Sequence, residues 1–127
     1  MESLTKNSKQ WRYWMEFGEK MGCHQLAERS FFFHGYQFPV CARCTGVIVG
    51  EIIAVILLLL SVRIHLLLSI IFLIPMGIDW GLQYFAILIS TNWRRFLTGA
   101  IGGFGLTYCY TYVFLTLFRG LCELILC

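Results

Sequence analysis

The stretch CARCTGVIVGEIIAVILLLL, Cys41 to Leu60, decides the fold. Its last nine residues, Ile52–Leu60, carry no charge, and a run from about Ala42 to Val62 is long enough to cross a bilayer. Crossing needs about 20 apolar residues at ~1.5 Å rise each. The same stretch opens on two cysteines spaced Cys-x2-Cys, so soft ligands stand where a membrane helix begins.

Two more runs of this kind follow. One covers about 66–89 and holds Pro75 and Asp79; the other covers about 96–118 and is rich in glycine and aromatic residues. In 127 residues, 58% of them hydrophobic, three such runs leave little room for a soluble core. The mean hydropathy of +0.72 agrees. Backbone groups in lipid must be bonded within their own segment, so the runs are expected to be helices. The expected fold class is an all-α membrane protein of three transmembrane helices. Residues 1–39 would form a cytoplasmic or interfacial segment, and residues 40–127 a three-helix transmembrane domain with spans at about 42–62, 66–89 and 96–118.

Outward from the first span, Trp11, Trp14, Met15, Gly18 and Met21 recur at helical spacing, with charged residues between them. This reads as an amino-terminal amphipathic helix lying in the interface, or equally as one packed on the membrane domain. An aromatic loop follows, Phe31-Phe32-Phe33-His34-Gly35-Tyr36, with a turn at Gly35, and Pro39 precedes the first span. The polar first ten residues do not read as a signal peptide.

Lysine and arginine set the expected orientation. Lys6, Lys9, Arg12, Lys20, Arg29 and Arg43 precede the apolar part of the first span, and Arg94 and Arg95 follow the second. Only Arg63 and Arg119 fall on the other side. The amino terminus is therefore expected in the cytoplasm, and the carboxy terminus outside, in a multi-pass protein of the cell membrane. A net charge of +3 spread over loop ends is no nucleic-acid footprint. The expected partners are the lipid bilayer, a second copy or a partner membrane subunit, and a lipid or other amphiphilic substrate. Three spans without an inverted repeat would need such a partner for transport.

Cys23-His24 and Cys41-x2-Cys44 offer four soft ligands at one membrane edge. Cys23, Cys41 and Cys44 are the first choice for a metal site. Neighbouring side chains point apart, so His24 is either a fourth ligand or a proton carrier, with His34 as another possible ligand. Zinc is the default ion. The same thiols, at a helix start beside arginine, would also suit thiol–disulfide or quinone chemistry. The expected reducing face favours metal. Cys109 reads as a packing residue, and Cys122 and Cys127 as a possible external disulfide.

Charges within a span cost about 2.5–3.5 kcal/mol on insertion scales, so Glu51 and Asp79 are candidate catalytic groups. Glu51 follows Cys44 by two turns; Asp79 and Gln83 form an i, i+4 pair beyond Pro75. Arg95 is the third catalytic candidate, with Arg29, Arg43 and Gln83 as contacts to an anion or substrate. The plain alternative is that Asp79 pairs with Arg95 or Arg43 to fix the packing. Arg94 would then only anchor a headgroup. Gly46 and Gly50, and Gly99 and Gly103, mark close helix contacts.

Three blocks of sequence resemble the small prokaryotic membrane proteins grouped as domain of unknown function 2085. They are Cys23-His24-Gln25 with Glu28-Arg29-Ser30-Phe31, Pro39-Val40-Cys41-Ala42-Arg43-Cys44-Thr45-Gly46 with Gly50, and Pro75, Asp79 and Gln83 with Asn92 to Gly99. In the last block Arg95, three before Thr98-Gly99, matches the family arginine. Trp80 departs from the pattern, which has glycine after the aspartate. The resemblance implies that the cysteine cluster is the family's working end, and it implies no reaction. Function is thus expected to be metal binding in the membrane, with a metal-dependent hydrolase or transferase as its sharper form. A thiol redox protein and an accessory or transport subunit with a structural metal are the alternatives.

Overall fold

The computed structural model describes residues 2–87 and 91–126. In chain order these form α1 (Glu2–Lys20), a 3₁₀ turn at Ala27–Arg29, β1 (Ser30–Phe33), β2 (Tyr36–Cys41), α2 (Ala42–Leu59), α3 (Leu66–Tyr84) and α4 (Asn92–Leu126). Three of the helices, α2, α3 and α4, are long and apolar enough to cross a membrane. The all-α reading with three spans therefore holds.

Small residues decide how the spans meet. On α2 every fourth residue is buried, namely Ala42, Gly46, Gly50 and Ala54. A β-carbon on Gly46 or Gly50 would collide with the carbonyl of Phe96 or of Ala100 on α4. In return, Gly99 and Gly103 of α4 lie against the backbone of Arg43 and Val47. Without a hydrophobic force between helices in lipid, such close backbone approach is what holds them. Another face of α4 takes α3: Gly102 meets Met76, and Gly105 meets Ser69 and Phe72. Tyr108 closes the far end by donating its hydroxyl to the Val62 carbonyl at 3.0 Å. So α4 carries α2 and α3 on separate faces.

The aromatic stretch expected as a loop is a β-hairpin. Ser30–Phe33 pairs antiparallel with Tyr36–Cys41, and Phe33 faces Tyr36 across a two-residue turn. His34 and Gly35 take φ of +50° and +82° there, the type I′ geometry whose twist suits a hairpin. The boundary drawn between residues 39 and 40 falls inside β2, so the amino-terminal segment runs into α2 through a strand. α1 begins earlier than its aromatic pattern indicated. It packs on β2, where Trp11 Nε1 donates to the Gln37 carbonyl at 2.8 Å and Gly18 abuts Pro39. Tyr13, Trp14 and Phe17 remain exposed on its other faces, as an interfacial helix requires.

α4 has 35 residues, about 52 Å at 1.5 Å rise, and overruns the expected span at both ends. α3 crosses Pro75 as one helix and ends at Tyr84, short of the expected boundary at 89. The possible pairing of Cys122 with Cys127 lies outside the described residues.

Candidate metal centre

The chain enters α2 through Cys41, whose extended backbone (φ −66°, ψ 163°) makes it the residue capping that helix. Its amide N–H donates to Cys23 Sγ at 3.1 Å, across eighteen residues of sequence. Cys44 follows within the first turn of α2, and Thr45 donates its hydroxyl back to the Cys41 carbonyl at 3.0 Å. The sulfur atoms of Cys23, Cys41 and Cys44 lie within 4.8 Å of one another. Cys41 stands at the positive end of the α2 dipole, which favours its thiolate form. The Cys44 thiol hydrogen-bonded to Cys41, helped by the Cys44 amide, Cys23 and the Arg43 amide, outweighs burial and draws the Cys41 thiol down to about 5.

Side-chain amides bring Cys23 to this point. Gln25, at φ +48°, donates Nε2 to the carbonyls of Met15 (2.6 Å) and Pro39 (2.7 Å), tying the loop to α1 and β2. Gln37 donates to the Gln25 carbonyl at 2.6 Å. Asn92, opening α4, donates to the Ser30 carbonyl at 3.2 Å and fastens the hairpin to the bundle.

A cavity of about 360 Å³ opens beside the sulfur atoms, within the size range of small-molecule sites. Its wall includes all three cysteines, His24, Arg29, Arg43, Gln83 and Arg95, together with Leu26, Trp80 and Tyr84. His24 thus lines the cavity but is exposed, and it is not one of the three clustered ligands. His34 is in the hairpin turn, against Phe33. Glu51 is half-buried on α2 and is not part of the wall.

Asp79 sits behind the wall, 3% exposed, with both oxygens engaged. Oδ2 accepts from Arg43 Nη2 and from Gln83 Nε2, each at 2.6 Å. Oδ1 accepts from Arg94 Nε at 2.8 Å. The i, i+4 pairing of Asp79 and Gln83 and the alternative pairing with Arg43 are both present. Arg94 is the residue sequence reasoning missed, since it spends its charge on Asp79 rather than on headgroups alone. Arg95 makes no ion pair or side-chain hydrogen bond among the described residues. It is 8% exposed, its Nε has no partner, and it faces the cavity.

The chain is similar to an uncharacterised protein of Methanocaldococcus jannaschii, 36% identical over 92 residues. That match covers 68% of this chain and 59% of the archaeal protein, so it spans less than two thirds of that relative's length. A second uncharacterised protein, of Methanothermobacter thermautotrophicus, is 38% identical over 88 residues, 66% of this chain and 79% of its own. No solved structure matches. A family model described as "Predicted membrane protein (DUF2085)" matches residues 23–109, which take in every cavity residue but Gly22, and the chain belongs to that family.

Proposed function

We propose that this membrane protein binds a transition metal, zinc by default, through Cys23, Cys41 and Cys44. The gathering of three sulfur atoms within 4.8 Å carries the reading. With Zn–S bonds of 2.3 Å, sulfur atoms at tetrahedral corners stand about 3.8 Å apart, so small side-chain rotations bring the three onto one ion. Donors fit as well as distances. The Cys41 amide already polarises Cys23, and Cys41 favours the thiolate that a metal needs.

Three protein ligands leave a fourth position, and the wall of the cavity is where it would open. His24 can fill it or carry protons beside it. Left to water, that position would supply an activated water, the chemistry of a metal-dependent hydrolase or transferase. Asp79 is best read as a positioning residue, because its oxygens are taken by Arg43, Arg94 and Gln83. Glu51, away from the cavity wall, is not given a proton-transfer role. The cysteines are assigned to the cytoplasmic side, with the amino terminus, on the balance of lysine and arginine.

Elemental analysis of purified full-length protein tests the reading, with Cys41→Ser and Cys109→Ser as variants. About one metal per chain is expected in the wild type and in Cys109→Ser, and almost none in Cys41→Ser. Equal metal content in the wild type and Cys41→Ser overturns it. A metal-free wild type whose Cys41 and Cys44 cycle between thiol and disulfide would favour the redox alternative.

A further inference from the structure

We propose that the cavity beside the cysteines is a binding site for a phosphate group, recognised by Arg95 together with Arg29 and Arg43. The clearest sign is Arg95 itself. A buried guanidinium is normally paired, since taking an isolated charge out of water is costly. Arg95 is 8% exposed, yet no carboxylate among the described residues meets it. The fields of Arg29 and Arg43 reach it and press harder than those of Asp79 and Cys41 relieve it. An arginine held in this way has no anion bonded to its own nitrogens among the described residues, and room for one beside it.

The three arginines face one space and arrive from three directions. Arg29 comes from the turn before β1, Arg43 from α2 and Arg95 from α4. Arg43 spends one nitrogen on Asp79 while its Nε is left without a partner. Among the described residues no carboxylate lines the cavity, since Asp79 lies behind Arg43. Three guanidiniums also outweigh the single negative charge left on a zinc ion held by three thiolates. A carboxylate has two oxygens and one charge. A phosphate has enough of both for forks arriving from several sides.

The rest of the wall points to the bilayer as one source of this group. Trp80 and Tyr84 stack at 5.5 Å and 21° on the membrane-spanning α3, and both are largely exposed. They line the cavity from the membrane-spanning α3, and Leu26 adds apolar surface. A phosphate headgroup could enter between the arginines with its chains along these rings; free phosphate would reach the same arginines from water. The binding site does not depend on a metal being present. That the phosphate compound is a substrate does rest on the metal reading above.

Calorimetric titration of the full-length protein in a nonionic detergent decides the matter. The probes are inorganic phosphate, dihexanoyl phosphatidic acid, acetate and dihexanoylglycerol, tested on wild type, Arg95→Gln and Arg95→Lys. Saturable binding of a phosphate probe is expected, with acetate and the uncharged glyceride weaker. Binding of inorganic phosphate marks a free-phosphate site; binding of the phosphatidate alone marks a headgroup site, and either supports the proposal. Arg95→Gln should lose on the order of ten- to hundredfold in affinity, as for one lost hydrogen-bonded charge, and Arg95→Lys less. Metal content and thermal midpoint are measured on the same samples, so a misfolded variant is recognised and Arg95→Lys then carries the comparison. Failure of wild type to bind either phosphate probe, or equal affinity in folded Arg95 variants, overturns the proposal. Loss of metal from the wild type with phosphate binding intact would sink the metal reading and leave this one standing.

Discussion

Arg43 on α2 and Asp79 on α3 meet at 2.6 Å, joining two helices that each pack mainly on α4. The pair does more than tie helices. Arg43 stands between buried Ala42 and Cys44 of the sulfur cluster, so fixing its side chain steadies the first turn of α2. Removing the charge at Asp79 leaves the half-buried Arg43 guanidinium without its counter-ion. Asp79→Asn should therefore cost about 3 kcal/mol, the lower end for breaking a buried pair. Thermal unfolding followed by tryptophan fluorescence in detergent would show a lower midpoint; an unchanged midpoint would mean that the pair holds nothing.

Glycine positions on α2 and α3 differ in what surrounds them, and substitutions should sort accordingly. At Gly46 a side chain meets the Phe96 carbonyl, whereas nothing lies within 4 Å of a β-carbon at Gly77. Gly46→Leu should force α2 from α4 and destabilise by about 1–3 kcal/mol or more. Gly77→Ala should be neutral or slightly stabilising, since alanine is the better helix former. Size-exclusion profiles and thermal midpoints of the two variants check this, and similar behaviour of both would contradict the packing described.

Hydropathy made the three spans legible because lipid asks for little beyond length and apolarity. The members of the sulfur cluster were legible, but the path of chain that joins them was not. Cys41 and Cys44 share one helical turn, but Cys23 joins them only through the hairpin. That hairpin was hidden because Phe31-Phe32-Phe33 shows no alternation, and His34-Gly35 is a less familiar turn pair than Asn-Gly. Arg94, not Arg95, pairs with Asp79, and the sequence could not show this for a geometric reason. Adjacent residues differ by about 100° around a helix, and the rotation of α4 relative to Asp79 is set by its glycine contacts with α2 and α3. Glu51 follows the same logic in reverse: it does lie two turns beyond Cys44, yet the cavity is walled by residues of segment 22–29 and the end of α3 and does not extend along α2 to it.

Gln25 should matter to the metal centre although it offers no ligand for a soft ion. Its amide donates to two carbonyls, on α1 and β2, and its own carbonyl accepts from Gln37. In Gln25→Ala the Met15 and Pro39 carbonyls lose that donor, about 1 kcal/mol for each bond. The loop bearing Cys23 should loosen. Faster alkylation of Cys23 by a maleimide is expected, with metal retained less firmly against a chelator. Unchanged rates of both would show that the loop is held by the Cys41–Cys23 contact alone.

The last prediction concerns which face of the membrane carries the cluster, because the metal reading needs thiols kept reduced. Arg63, between α2 and α3, lies at the opposite end of the bundle from Cys41 and Arg95. A charge excess at the cysteine end predicts that this end stays in the cytoplasm, and that the short α2–α3 connection is external. A Ser61→Cys variant, with the native cysteines replaced, should react in intact cells with a thiol reagent that cannot cross membranes. A variant keeping only Cys23 should react with it only after the membrane is opened. The reverse pattern would put Cys23, Cys41 and Cys44 in an oxidising space, where neighbouring thiols tend to close into disulfides and a zinc site becomes the weaker explanation for their meeting.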